Sequence, residues 1–404
     1  MKSKIFIFIF LFLIVSCKTK SVTISNLSTS TVSADNEIKT YTTKKIKTGA
    51  ENFVAYGPIL ANKKVGIVTN QTSLINNKTH LVDFLLEKGV YIEKIYAPEH
   101  GFRGVADAGE LIIDGKDSKT NLPIISLYGN NKKPTAEQLH GIDILVFDLQ
   151  DVGARFYTYI STLHYVMEAC AEINIPVVIL DRPNPNGSII DGPVLDTTYR
   201  SFIGMHPIPV LHGMTIGEYG KMINGEKWLA NGIQCELTII PCSFYTRDLF
   251  YSVPVPPSPN LPNDTSINLY ASLCFFEGTS VSVGRGTDKQ FQIYGSPFLQ
   301  NYDFTFTPLP NLGAKNPPYN GVLCFGEDLS DETPVTRLNL HWLIKAYKSS
   351  SDGSAFFTNF FTKLAGNKTL QQQIEAGLSE SEIRKTWESD LESFKLKRQK
   401  YLIY

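Results

Sequence analysis

The sequence predicts a doubly wound α/β domain with a mostly parallel sheet and a functional site on one edge of that sheet. Four short apolar runs lead to this prediction, at residues 65–69, 90–96, 144–147 and 177–180. The runs are rich in β-branched residues and nearly continuous, as strands buried on both faces should be. The segments between them are long enough for crossover helices, which favours a parallel arrangement of the strands.

The first two runs lead into polar turns. Residues 65–69 are followed by Asn70, and the second run is followed by APEHGFRG, in which Glu99, His100 and Arg103 occupy a glycine-bounded turn. Ligands of open parallel sheets bind outside the carboxyl ends of the strands, where these turns should lie. The turns therefore predict part of a binding or catalytic site. A packed turn whose charges cap a helix and pair with one another is the alternative.

The third and fourth runs end in the same way. They lead into DLQDVGARFYTYIST and DRPNPNG, respectively. Both segments should add polar side chains to the same sheet edge, namely Asp148, Gln150, Asp151, Arg155, Tyr157, Tyr159, Asp181, Arg182 and Asn184.

A second compositional break lies at residues 251–263, which are rich in proline and therefore unsuited to a helix or a central strand. We expect this segment to be an interdomain crossing or a rigid wall of a cleft. Beyond it, the run ASLCFFEGTSVSVGRGTDKQF places Glu277 and Arg285 near three glycines. This pattern predicts a functional loop, and a hairpin whose glycines serve turns is the alternative. Apolar residues at helical spacing after about residue 334 predict helices.

The N-terminal residues predict an export signal. In residues 1–16, two lysines precede an apolar run that is too short for a comfortable membrane span. The run ends in LIVSC, which resembles a bacterial lipobox, so we expect cleavage before Cys17 and lipidation of its thiol. A cleaved signal with a chance cysteine is the alternative. Residues 17–48 have the polar composition of a flexible tether. The protein should then be anchored in the bacterial cell envelope, facing the periplasm or the cell surface.

Composition and missing motifs exclude several classes of ligand. The chain has 404 residues and a formal net charge of -1, which gives it no bulk attraction to nucleic acid. Its sequence contains no phosphate-binding loop, dinucleotide fingerprint, HExxH or CxxC, so we expect no nucleotide, no metal and no cofactor. The five cysteines other than Cys17 look like buried free thiols, and a Cys235–Cys242 disulfide is the alternative.

A resemblance to a known family extends from Val65 to the C-terminal KYLIY. It is carried by GIVTNQTS, APEHGFRG, ADAGE, SLYG, FDLQDVGARFYTYIST, LDRPNPNG, GPVL, SFIGMHPIPVLHGMTIGE, PPSPN and FEGTSVSVGRGTD. These segments resemble the exo-β-N-acetylmuramidases of the NamZ type. Asn186 departs from the aliphatic residue that the family usually has after DRPNP.

The resemblance implies hydrolysis of terminal non-reducing N-acetylmuramic acid from peptidoglycan fragments. It also implies a Rossmann-like catalytic domain, at residues 49–250, closed by a smaller C-terminal α/β domain at residues 251–404. A lipid-anchored protein of the cell envelope would meet such amino-sugar fragments.

Glycoside hydrolysis ordinarily needs one carboxyl group that protonates the leaving oxygen and a second that acts as nucleophile, base or orienting group. The candidates at the sheet edge are Glu99, Glu110, Asp148, Asp151 and Asp181. We expect Glu99 to be the acid, because its apolar strand and Phe102 favour the protonated form. We expect Asp151 to be the second carboxylate, ionised near Arg155. Retaining, inverting and substrate-assisted mechanisms remain open.

Muramic acid differs from glucosamine by a lactyl ether with a carboxylate, so a selective site should contain a guanidinium. The candidates are Arg103, Arg155, Arg182 and Arg285, with Arg155 the first choice because it lies close to Asp151 and two tyrosines. Further substrate contacts are expected from Asn70, His100, Glu110, Asp148, Tyr157, Asp181 and Glu277.

Two other functions stay open. A non-catalytic lipoprotein that binds muropeptides or amino sugars would need the cleft and the arginines but no acid and base. An amidase or esterase would need a nucleophile, and no GxSxG elbow is present.

Overall fold

The computed structural model describes residues 45–102 and 115–404. The strands in this part of the chain are β1 (Val65–Thr69), β2 (Leu74–Ile75), β3 (Thr79–His80), β4 (Ile92–Ala97), β5 (Gly115–Lys116), β6 (Pro123–Ser126), β7 (Ile144–Asp148), β8 (Val177–Leu180), β9 (Ile190–Asp191), β10 (Leu211–His212), β11 (Leu237–Ile240), β12 (Ile293–Ser296), β13 (Phe304–Phe306) and β14 (Cys324–Asp328). The α-helices are α1 (Phe53–Leu60), α2 (Leu81–Glu87), α3 (Ala136–Leu139), α4 (Tyr159–Glu172), α5 (Ile216–Gly225), α6 (Asp264–Leu273), α7 (His341–Ser349), α8 (Phe361–Ala365), α9 (Thr369–Glu375), α10 (Glu380–Lys385) and α11 (Glu388–Gln399).

The central sheet has the strand order β11-β8-β7-β1-β4-β6-β5. Neighbouring strands run parallel, except that β5 pairs with β6 in the antiparallel direction. After β1 the chain builds one side of the sheet through β4 and β6, and then builds the other side through β7, β8 and β11. The order therefore reverses between β1 and β7, which is where ligands bind in open α/β sheets. The predicted doubly wound fold is confirmed.

The apolar runs become strands because both of their faces are covered. All residues of β1, β7 and β8 are buried, and alternate side chains enter two different cores. Ile67 and Val146 join a core with α1 and α2, whereas Val68 and Phe147 join a larger core with α4, α5 and the C-terminal helices. Period-two alternation between two apolar layers is what a continuous β-branched run produces.

The C-terminal part is a second, smaller α/β arrangement. Its sheet has the order β12-β14-β13 and is antiparallel throughout. Helices α7 to α11 follow this sheet, and the chain end returns to the first domain. There, the backbone N–H of Ile403 donates to Glu218 at 2.7 Å, and the Tyr404 hydroxyl donates to Asp181 at 2.8 Å.

Three further observations concern only residues 45–102 and 115–404. No helix in these ranges has the length and apolar composition needed to cross a bilayer. No three His, Cys, Asp or Glu side chains there form a group that could hold a metal ion. The five cysteines in these ranges are buried and free, including Cys235 and Cys242.

Candidate active site

A cavity of about 420 Å³ lies outside the carboxyl ends of β4 and β7. Its walls come from the turn after β4, the loop between β7 and α4, the proline-rich segment before α6, and loops of the C-terminal domain. This volume falls within the range of small-molecule sites. Six of the predicted residues that the structure describes line this cavity, namely Glu99, His100, Tyr157, Tyr159, Glu277 and Arg285.

The turn after β4 presents Glu99 to the cavity. The Thr158 hydroxyl donates to Oε2 of Glu99 at 2.7 Å, which orients the carboxylate. The next two residues are left-handed, with φ of 71° at His100 and 76° at Gly101. A non-glycine residue with positive φ is uncommon, and such conformations cluster at functional sites where the surroundings enforce them. The backbone after Glu99 is therefore held in a defined, costly shape.

The proline-rich segment forms a rigid wall of the cavity, and it also carries the chain from β11 to α6. The Pro257 carbonyl accepts hydrogen bonds from the hydroxyls of Tyr157, at 2.8 Å, and Tyr159, at 3.2 Å. Asn70 donates to the Tyr159 hydroxyl at 2.6 Å. Burial raises the pKa of both tyrosines, so their phenols stay protonated donors. The segment is thus tied to the loop after β7 and to the residue after β1.

The C-terminal domain contributes an ion pair. Nε of Arg285 lies 2.6 Å from Oε1 of Glu277, and the guanidinium lies 5.1 Å from the centre of the Phe291 ring. Burial lowers the pKa of Arg285, but the Glu277 carboxylate outweighs burial and the net shift is upward. Arg285 is therefore a cation at neutral pH.

The glycines around Arg285 serve the backbone of this loop. Gly284 and Gly286 have φ of 77° and 81°. A Cβ at Gly284 would lie 2.5 Å from Cγ1 of Ile293, and one at Gly286 would lie 2.6 Å from Cβ of Pro317. Only glycine fits both the conformation and the space. The turn and the functional loop that the sequence offered as alternatives are the same structure.

Two polar atoms of cavity residues have no hydrogen-bond partner among the described residues. They are Nη1 of Arg285 and Oδ1 of Asn260, and both are buried. The Asn260 amide is oriented, because its Nδ2 donates to the Gly313 carbonyl at 2.6 Å. An unsatisfied buried polar group is costly, and here one donor and one acceptor are left unsatisfied on two residues that line the cavity.

The structure corrects the expectation for Arg155. Its guanidinium is fully buried and does not line the cavity. Nη1 donates to the carbonyls of Pro193 and Ile208, at 2.7 and 2.9 Å, and Nη2 donates to those of Leu364 and Ala365, both at 2.9 Å. Burial lowers its pKa to about 9. Arg155 joins α8 to the first domain and has little capacity left for a substrate.

The structure also corrects Asp148, Asp181 and Arg182. Arg182 makes a bidentate pair with Asp148, at 2.5 and 2.9 Å, and both side chains are buried. Asp181 accepts from the Thr215 hydroxyl and the Gly217 N–H, while burial raises its pKa to about 6. All three side chains are buried away from the cavity, and their hydrogen bonds connect neighbouring loops.

Asp151 is buried rather than exposed to the cavity. Its Oδ2 accepts from the Gly153 N–H at 2.7 Å and lies 3.8 Å from Nε2 of His212. Burial raises the pKa of Asp151 to about 7, although the backbone hydrogen bonds oppose the shift. The expectation that its surroundings favour the ionised form is therefore wrong. Asn70 is also buried, with its amide used internally.

Predictions for Cys17, Arg103 and Glu110 fall outside the described residues. The structure adds cavity residues that had no assigned role, namely Tyr128, Thr158, Ser258, Asn260 and Tyr270. Tyr128 belongs to the SLYG segment, and Ser258 and Asn260 belong to PPSPN. Both segments support the family resemblance, and this was the sequence signal that could have identified these residues as part of the site.

Comparisons with known proteins point to one family for both the N-terminal and the C-terminal part of the chain. The sequence profile of "Exo-beta-N-acetylmuramidase NamZ, N-terminal" matches residues 65–265, and that of "Exo-beta-N-acetylmuramidase NamZ, C-terminal" matches residues 268–404. The peptidoglycan beta-N-acetylmuramidase NamZ of Bacillus subtilis (strain 168) is 37% identical over 401 residues, which cover 94% of this chain and 96% of the relative.

Two crystal structures of DUF1343 family proteins from Bacteroides fragilis NCTC 9343 share the fold. The first has a TM-score of 0.83 and 46% sequence identity, and the second has a TM-score of 0.75 and 29% identity. Each match covers 89% of this chain and 99% of the other chain.

Proposed function

The chain belongs to the NamZ family of exo-β-N-acetylmuramidases, and on this premise we propose that it releases terminal non-reducing N-acetylmuramic acid from peptidoglycan fragments. The observation that carries the proposal is the cavity that combines Glu99 with the Glu277–Arg285 pair. A carboxyl group and a charged guanidinium in one sugar-sized space are what hydrolysis of an acidic sugar requires.

The unpaired atoms of the cavity match the groups that distinguish muramic acid. Nη1 of Arg285 is a cationic donor suited to the lactyl carboxylate. Oδ1 of Asn260 is an acceptor suited to the N–H of the 2-acetamido group. Tyr157 and Phe156 lie in the same wall and offer aromatic surface to a sugar ring. Binding would then satisfy both atoms at once.

Glu99 is the proposed general acid. It protonates the glycosidic oxygen as the bond to the anomeric carbon breaks, and the Thr158 hydroxyl holds its carboxyl group in place. The costly backbone conformation directly after Glu99 supports a functional reason for its position.

Glu277 replaces Asp151 as the proposed second carboxylate. Among the described residues that line the cavity, Glu99 and Glu277 are the carboxylates. Glu277 is paired with the Arg285 guanidinium and supplies the negative charge that stabilises positive charge developing at the anomeric carbon. Asp151 lacks access to substrate and is assigned no step.

The test is turnover of a chromogenic N-acetylmuramide, with the matching N-acetylglucosaminide as control. The enzyme should release the aglycone from the muramide, and Glu99→Gln should slow this release less than it slows hydrolysis of a natural disaccharide, whose leaving group needs protonation. Saturable binding without aglycone release, in a folded sample, would favour the non-catalytic binding lipoprotein instead.

We also propose that the protein acts at the cell envelope, anchored by lipid at Cys17. The support is the sequence alone, namely the short apolar run, the LIVSC segment and the polar tether after it. Such a location would place the cavity near peptidoglycan fragments.

A further inference from the structure

Three large apolar side chains are exposed within a seven-residue loop. The loop, residues 244–250, follows β11, and its exposed fractions are 48% at Phe244, 47% at Leu249 and 77% at Phe250. Single exposed apolar residues are ordinary, but a cluster of this kind marks an interaction surface.

The loop is held so that these side chains face outward. Phe244 has a φ of 62°, which is strained for a bulky residue. The residues that flank it are fixed to the interior. The backbone N–H of Cys242 donates to the Tyr404 hydroxyl at 2.6 Å, and the hydroxyl of the buried Tyr245 donates to the Asn184 carbonyl at 3.3 Å. The outward position of Phe244 is therefore enforced by its neighbours.

The chain enters the described fold beside this loop. Lys47 and Ser243 exchange two backbone hydrogen bonds, at 3.0 and 2.8 Å. Cys17 precedes Lys45 by 28 residues, so a chain anchored at Cys17 enters the described fold through Lys45 and Lys47, beside this loop. A lipid anchor at Cys17 would thus draw this face, rather than a remote one, toward the bilayer.

The charges around the loop allow that contact. Lys45 and Lys47 are exposed at its base. Asp248 is the exposed acid of the loop, and Arg247 is engaged by Glu218. Two exposed lysines against one exposed acid give the face a weak attraction to anionic headgroups.

We propose that the 244–250 loop is a membrane-contact surface that inserts Phe244, Leu249 and Phe250 into the headgroup region of the bilayer that holds the anchor. This inference rests on the lipidation of Cys17 proposed above. A single lipid chain gives only marginal membrane binding, and a second membrane contact makes the attachment stable. The contact would hold the body in one orientation at the surface.

The test uses the lipidated protein in vesicles that contain brominated phospholipids. Because the native cysteines of the described fold are buried, a cysteine introduced by Phe250→Cys can be labelled selectively with an environment-sensitive fluorophore. The matched control is Leu312→Cys, since Leu312 is 67% exposed and lies two residues from Ala314, which lines the cavity. Fatty-acid labelling of the same samples reports the anchor independently.

We expect a blue shift and at least twofold quenching at position 250, and neither at position 312. Lipidated, vesicle-bound protein with an unquenched probe at position 250, or with equal quenching at both positions, would overturn the proposed contact while leaving the anchor intact. A blue shift at position 250 that grows with protein concentration in the absence of vesicles would overturn it in favour of contact between copies. Aglycone release from the muramide tests the enzymatic function separately.

Discussion

Replacing Arg285 with alanine should erase most of the preference for muramic acid over N-acetylglucosamine. The Arg285 and Glu277 side chains are only 18% and 24% exposed, so the guanidinium meets a substrate carboxylate in a largely desolvated place. A hydrogen bond to a charged group contributes about 1.5–3 kcal/mol in such surroundings. Since 1.36 kcal/mol corresponds to a factor of ten, the preference should be roughly 10²-fold in the wild type and fall to within a few-fold of unity in Arg285→Ala.

The assay measures kcat/KM for paired muramide and glucosaminide substrates on each variant. Arg285→Lys should retain part of the preference, because it keeps the charge but loses the planar pair of donors. Arg337→Ala removes an exposed arginine outside the cavity and serves as the control. A folded Arg285→Ala variant that kept the wild-type ratio would refute the assignment of the lactyl carboxylate to this guanidinium.

Three further predictions concern the acid, a buried carboxyl group and the anchor. Glu99→Gln should lower kcat by roughly 10²-fold or more on a natural disaccharide, and less on an activated aglycone that needs no protonation; an equal loss on both substrates would remove its role as acid. Burial raises the Asp151 pKa from 3.8 to about 7, so the folded state retains a proton that the unfolded state releases, and stability falls as pH rises through this window. Urea titrations measure the free energy of unfolding of Asp151→Asn and of the wild type. The value for Asp151→Asn minus that for the wild type should be larger at pH 8 than at pH 5, and an equal difference at both pH values would contradict the raised pKa. Cys17→Ser should abolish fatty-acid labelling and detergent-phase partitioning, and unchanged labelling would exclude that anchor.

The central strands were predictable because a short, continuous run of β-branched residues is typical of a strand that is buried on both faces. Residues 65–69 and 177–180 have the predicted bounds, and the third strand extends by one residue to Asp148. Edge strands carry a weaker pattern. β11 is only partly buried and β6 begins with a proline, so neither was distinguished from a loop.

The site was predictable where a motif stands at the end of a strand or in a constrained glycine loop. Glu99 and Arg285 are such residues, and both reach the cavity. Arg155 was misplaced because proximity in the sequence does not tell which side of a loop a side chain enters. Two of its four partner carbonyls come from Leu364 and Ala365, about half the chain away, and no local pattern reveals such contacts.

The most direct test of the account is hydrolysis of the disaccharide N-acetylmuramyl-β-1,4-N-acetylglucosamine in water enriched in oxygen-18, followed by mass spectrometry. At reaction times shorter than exchange of the sugars' anomeric oxygens with solvent, we expect free N-acetylmuramic acid with one heavy oxygen at its anomeric carbon and unlabelled N-acetylglucosamine, because water attacks the sugar whose leaving oxygen Glu99 protonates. Intact disaccharide after prolonged incubation with folded protein would contradict the account, and so would release of N-acetylglucosamine from a substrate with that sugar at the non-reducing end at a rate equal to or above that of muramic acid release.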